Sequence, residues 1–212
     1  MNESQKDPVR GDRPWLPWLE AAAAGSLLGL LSLAGDSAPG PLRAFANAGC
    51  PWLVLAFLVG ARMRTRGSGT AAGALVLVIA VLTYYGVRRT AVHGFPDLVR
   101  WPVPSWCFVA GLGGAALGAA GAAWRRGLAP IGGVATLVGC LAAEVSFLAT
   151  HSKIEDAQAL VVVEAAAALS LPWVLLPLRR SSVLAAALGL ALGAVGWAGI
   201  VGLIAAIGRV YA

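Results

Sequence analysis

Charge is scarce in this sequence. Of its 212 residues, 12% are Asp, Glu, Lys or Arg, about half the ~25% of ordinary soluble domains. A chain of this size with so little polar surface cannot cover itself for water, which excludes the soluble globular class. Histidine occurs twice and cysteine three times. Cys50, Cys107 and Cys140 lie in or beside apolar runs and form no Cys-x-x-Cys, so packed free thiols are expected rather than a disulfide framework or a thiolate metal site. The phosphate loop G-x-x-x-x-G-K-[ST], the nucleophile elbow G-x-S-x-G and the zinc motif H-E-x-x-H are all missing. So are the paired Asp-rich motifs that hold magnesium diphosphates, which argues against a metal-dependent ionisation. The expectation is therefore no metal and no organic cofactor. The opening "MNESQKDPVRGDRP" lacks the apolar core and cleavage site of a signal peptide, and no lipidation box is present.

What the chain does have is apolar length. Hydrophobic residues make up 58% of it, and its mean hydropathy is +0.77. Crossing the hydrocarbon core takes ~20 mostly apolar residues in a helix. Seven runs approach this, at 16–34, 45–61, 70–87, 104–124, 128–149, 158–178 and 182–207. The links between them, such as "RMRTRGSG", "HSKIEDAQ" and "LRRSS", are short and rich in charge, Gly or Pro. The pattern predicts an all-α, polytopic membrane protein: a polar tail over 1–15 and a single bundle of seven transmembrane helices over 16–212.

The net charge of +6 does not point to nucleic acid, because the basic residues sit singly or in pairs between apolar runs. With the N-terminus in the cytoplasm, ten of the 16 Lys and Arg residues fall on the cytoplasmic side. We therefore expect a bacterial cytoplasmic membrane, with the N-terminus inside and the C-terminus outside. Trp15, Trp18, Trp101, Trp106 and Trp124 fall near helix ends, where an interfacial aromatic belt is expected. Small residues recur four apart at Ala21/Gly25/Gly29, Gly114/Gly118 and Gly189/Gly193, and such stripes let helices approach closely.

In this arrangement the acidic residues beyond the tail, apart from Glu20, gather at one end of the bundle. Asp36 ends the first helix there, and Asn47 begins the second. Tyr84, Tyr85, Arg88 and Arg89 end the third, and His93 and Asp97 follow in the next loop. Glu144 ends the fifth helix, His151, Glu155 and Asp156 occupy its loop, and Glu164 begins the sixth. Most of these have plain explanations as solvated loop, belt or anchor residues. Glu144 and Glu164 are different. A charge at mid-bilayer costs at least ~2.5 kcal/mol on insertion scales, so such a group faces the bundle interior and marks function. The two belong to one helical hairpin and can share a site, and a carboxylic acid held away from water is a proton donor.

The stretch "NAGCPWLVLAFLVGARMRTRGSGTAAGALVLVIAVLTYYGVRRTAVHGF", residues 47–95, resembles a group of small, uncharacterised actinobacterial membrane proteins. The features that carry this are the Pro51-Trp52-Leu53 lead-in, the Gly60-Ala61 exit, the Ala-Gly helix and the Tyr84-Tyr85 end. In size and seven-helix organisation the chain is also similar to membrane-bound terpene cyclases of bacterial indole-sesquiterpene and drimane pathways and fungal meroterpenoid pathways. That resemblance implies an isomerase: an embedded acid protonates an alkene or epoxide of a lipophilic, prenylated substrate, and the carbocation then cyclises. Glu144 and Glu164 are the candidate catalytic acids by their own position. Tyr84, Tyr85, Arg88, His151, Asp97 and Trp52 are the candidate substrate-binding residues, with the aromatic rings shielding the cation. The expected partners are the lipophilic substrate and the lipid bilayer. The alternative is a small-solute transport protein, or the substrate-binding membrane subunit of a transporter, with the small-residue face of the first helix as a docking surface.

Overall fold

The computed structural model describes residues 14–39, 43, 46, 48–93, 103–151 and 157–210. Among them lie seven helices and no strand: α1 (Leu16–Gly35), α2 (Gly49–Arg62), α3 (Arg66–His93), α4 (Val103–Arg125), α5 (Pro130–His151), α6 (Ala157–Leu175) and α7 (Arg179–Val210). Five of them, α1, α3, α4, α5 and α7, are long and apolar enough to cross a membrane, and α2 and α6 are shorter apolar helices. The protein is an all-α helical membrane bundle, as its apolar runs predict. In lipid every backbone N–H and C=O must find a partner within the chain, and a helix achieves this inside one segment.

Local chemistry fixes where each helix starts and stops. Pro at the first turn opens α1, where a missing N–H removes a donor that has no helical partner anyway. Thr65 and Ser68 cap α3 reciprocally. The Ser68 N–H donates to Thr65 Oγ1 and the Thr65 N–H donates to Ser68 Oγ, both at 3.0 Å. Gly127, at φ +66°, ends α4 in the left-handed region that glycine adopts without a Cβ penalty. There the Gly127 N–H reaches Trp124 O and the Leu128 N–H reaches Ala123 O, each at 3.1 Å. The Leu176 N–H donates back to Pro172 O at 3.0 Å, and Pro177 cannot extend the helix. α6 therefore stops at Leu175, short of the apolar run that continues to 178. α3 exceeds its apolar run at both ends. Arg88 and Arg89 are helical residues, because long basic side chains lay apolar stems along the helix while their heads reach water.

Small residues set the packing. The stripe Gly114/Gly118 of α4 lies against Gly69 and Gly73 of α3. A Cβ on Gly73 would sit 2.7 Å from Gly118 Cα, and one on Gly118 would sit 2.9 Å from Gly73 Cα. Gly60 of α2 also meets the Gly118 backbone. On the other side, a Cβ on Gly193 of α7 would fall 2.6 Å from Ala142 Cβ of α5. The α1 stripe is buried at Ala21, Gly25 and Gly29, and Gly25 and Gly29 meet the Val76 and Ala80 carbonyls of α3. The face expected to dock an outside partner is thus filled by the protein's own third helix. α2 sits centrally and touches α1, α3, α4 and α5. Its Phe57 is fully buried beside Leu117, Leu137 and Leu141, with its ring 5.5 Å from Trp124.

The aromatic belt is thinner than the sequence predicts. Trp15 and Trp106 are exposed as belt residues should be. Trp18 and Trp124 instead pack on the core, and Trp124 Nε1–H donates to Leu175 O at 3.0 Å. That bond satisfies a carbonyl at the C-terminus of α6, which has no helical partner. Trp101 lies outside the described residues.

Candidate functional site

The site grows from the length of α2. Fourteen residues at 1.5 Å each span about 21 Å, well short of the ~30 Å hydrocarbon core. Its start is a weak one by helix rules. Ala48 is the N-cap, in extended backbone (φ −69°, ψ 150°), and offers no side-chain cap. The N–H groups of Gly49 and Cys50 therefore need partners from elsewhere, while Pro51 has no N–H to satisfy.

The partner comes from α5. The Gly49 N–H donates to Glu144 Oε1. A Cβ at position 49 would lie 2.7–2.9 Å from the Glu144 carboxylate atoms. Only glycine lets the carboxylate come this close to the backbone. Glu144 lies seven residues before the end of α5 at His151, and Glu164 seven residues after the start of α6 at Ala157. Each is therefore about 10 Å in from its helix end. The hydrogen bond shows that α2 begins at that depth, recessed into the bundle.

Glu164 is 0% exposed. Neither of its carboxylate oxygens has a hydrogen-bond partner among the described residues, nor has Oε2 of Glu144. Glu164 faces the Cys50 backbone N–H without closing a hydrogen bond to it, and it lies within reach of the Glu144 charge. Cys50 feels both carboxylates, and Cys140, one turn before Glu144, feels the latter. All three cysteines are free thiols. The arrangement is two carboxyl groups around the positive end of a helix, walled by apolar side chains and thiols. Among the described residues no group of three His, Cys, Asp or Glu side chains is placed to hold a metal.

A second polar cluster occupies the same end of the bundle on other helices. Tyr84 Oη–H donates to Asp36 Oδ2 at 2.6 Å, and Arg88 Nη1 donates to Tyr84 Oη at 2.6 Å. The Arg88 guanidinium lies 3.6 Å from Asp36 and 5.7 Å from the Tyr84 ring centre. Tyr85 meets Tyr84 edge-on at 5.0 Å. This cluster ties the C-cap of α1 to α3, while the glutamate pair belongs to α2, α5 and α6.

The sequence-derived site residues thus divide. Glu144 and Glu164 come together. Tyr84, Tyr85 and Arg88 come together with Asp36. Trp52 lies on α2, three residues from Gly49, and packs partly buried on the core. Asp97 lies outside the described residues, as do the side chain of His151 and the loop carboxylates Glu155 and Asp156. Gly49 and Cys50 are site residues that the sequence reading passed over. No clear signal for them stands in the sequence, because Asn47 in "NAGCPW" reads as the helix start, and only the structure puts the N-cap at Ala48, which has no side-chain acceptor.

No curated protein and no solved structure matches the chain. The family described as "Family of unknown function (DUF6518)" matches residues 8–206. That span covers nearly all of the bundle, and the chain belongs to this family.

Proposed function

We propose that the Glu144–Glu164 pair is a proton-handling site and that the protein is a metal-independent terpene cyclase embedded in the membrane. The observation that carries this reading is the fully buried carboxyl group of Glu164, without a hydrogen-bond partner among the described residues, beside a second carboxyl group. An idle buried polar group without a partner is destabilising, and inside a bilayer such groups mark function. In the reaction a carboxyl proton adds to the terminal alkene carbon or the epoxide oxygen of a prenylated substrate. The cation so formed is attacked by an internal double bond, which makes a ring carbon–carbon bond. A C–H proton is then lost to the carboxylate. One proton enters and one leaves, so the net change is an isomerisation. The apolar wall excludes water that would quench the cation. Trp52 lies on the first turn of α2, three residues from Gly49, and Phe147 lies three residues after Glu144, while the Tyr84 hydroxyl is committed to Asp36 and Arg88.

One observation favours the transport alternative. A helix that begins inside the bundle is the geometry that transport proteins use at solute sites. The proposed orientation has the N-terminus inside a bacterial cytoplasmic membrane, which sets the pair in the outer half. Membranes containing the wild type, Glu144→Gln or Glu164→Gln, supplied with a farnesylated substrate, test the cyclase reading. Cyclised product from the wild type and its loss in at least one variant is the expected result. Full activity in both variants contradicts the acid assignment, and vesicle uptake of a solute without product supports transport.

A further inference from the structure

The two glutamates meet the same helix terminus in different ways, and the difference assigns their roles. Glu144 is pinned: its Oε1 accepts the Gly49 N–H, and the bare Cα of Gly49 is what admits it. Among the described residues Glu164 has no such tie on either oxygen, although it is 0% exposed. A carboxylate that accepts a backbone N–H at a helix N-terminus is oriented as an acceptor by that bond and by the helix dipole. A buried carboxyl group that closes no hydrogen bond to the donor it faces lacks that support.

We propose that Glu164 is the proton donor of the site, that Glu144 is the anchored proton acceptor, and that Gly49 is the positioning residue that keeps the two apart in role. This rests on the proton-handling reading above but not on the cyclase substrate. Among the described residues, the Cys50 thiol from α2 feels both carboxyl groups and the Cys140 thiol from α5 feels Glu144, and neither hydrogen-bonds Glu164. Gly49→Ala places a methyl group against the Glu144 carboxylate. The carboxylate must then shift away from the helix terminus, which weakens its hold on the Gly49 N–H.

A lipophilic carbodiimide reacts with a carboxyl group that carries a proton, and peptide mass spectrometry reads which glutamate was modified. Applied to native membranes, it is expected to modify Glu164 and leave Glu144 unmodified in the wild type. In Gly49→Ala it is expected to modify Glu144 as well. Glu144→Gln, which keeps an oxygen acceptor for the Gly49 N–H, is expected to retain modification at Glu164. Alkylation of the buried Cys50 by a membrane-permeant maleimide reports local unfolding. The shift in Gly49→Ala counts when Cys50 stays as unreactive as in the wild type. Modification of wild-type Glu144, of both glutamates or of neither overturns the division of roles. So does a Gly49→Ala pattern identical to the wild type. Because no substrate is involved, a failed cyclisation assay with the expected labelling would sink only the cyclase reading.

Discussion

At the scale of single residues, the polar side chains described inside this bundle include some that are tied to a partner and some that are not. Tyr84 shows the tied case. Its hydroxyl donates to Asp36 and accepts from Arg88, and so bridges two helices with charge-assisted bonds. Tyr84→Phe removes the bridge and leaves the Asp36–Arg88 pair at 3.6 Å with less support. Hydrogen bonds to charged groups contribute ~1.5–3 kcal/mol, and because this cluster is partly exposed we expect a loss of about 1 kcal/mol. Thermal unfolding in detergent micelles measures it, and an unchanged midpoint would show that the bridge is not a structural tie. Glu164 shows the untied case, and the functional account depends on it.

At the scale of elements, glycine decides how near two helices come. A Cβ on Gly118 would press into the α3 backbone, whereas one on Gly113, five residues earlier in α4, would meet nothing within 4 Å. Gly118→Ala is therefore expected to destabilise the bundle by roughly 1–3 kcal/mol through overpacking. Gly113→Ala is expected to be neutral or stabilising by up to about 1 kcal/mol, since alanine is the better helix former. Parallel unfolding of the two variants checks this, and equal losses would mean that the α3–α4 contact is not as close as described. Much at this scale was legible beforehand. Apolar runs locate α1, α4 and α5 within a few residues, because hydrocarbon thickness imposes their length. The true ends of α3 were not legible, because the helix starts at Arg66 and runs on past Arg88 and Arg89 to His93, beyond the apolar run of 70–87 at both ends. Trp124 was likewise read as a belt residue, since no sequence pattern reveals that its Nε1–H meets a carbonyl 51 positions away.

At the scale of the whole molecule, the arrangement sorts its charge by end. Glu20 and Arg62 pair at one end at 3.3 Å, and Arg126 Nη1 donates to Arg64 O nearby. Asp36, Glu144 and Glu164 occupy the other. The gathering of carboxylates could be read from alternating helix direction alone. The depth of the α2 terminus could not, because the height of one helix relative to another is set by packing at Gly60 and Gly118 rather than by its own sequence. A functional carboxyl group in an apolar core should stabilise the fold less than a hydrocarbon would, whereas a structural one should be needed for folding. The most direct test is therefore the unfolding free energy of Glu164→Leu beside that of Glu144→Leu in the same micelles. The account predicts that Glu164→Leu is as stable as the wild type or more so. Glu144→Leu, which strands the Gly49 N–H, should lose ~1–3 kcal/mol. A Glu164→Leu protein that loses as much as Glu144→Leu would make Glu164 a structural residue and contradict the account.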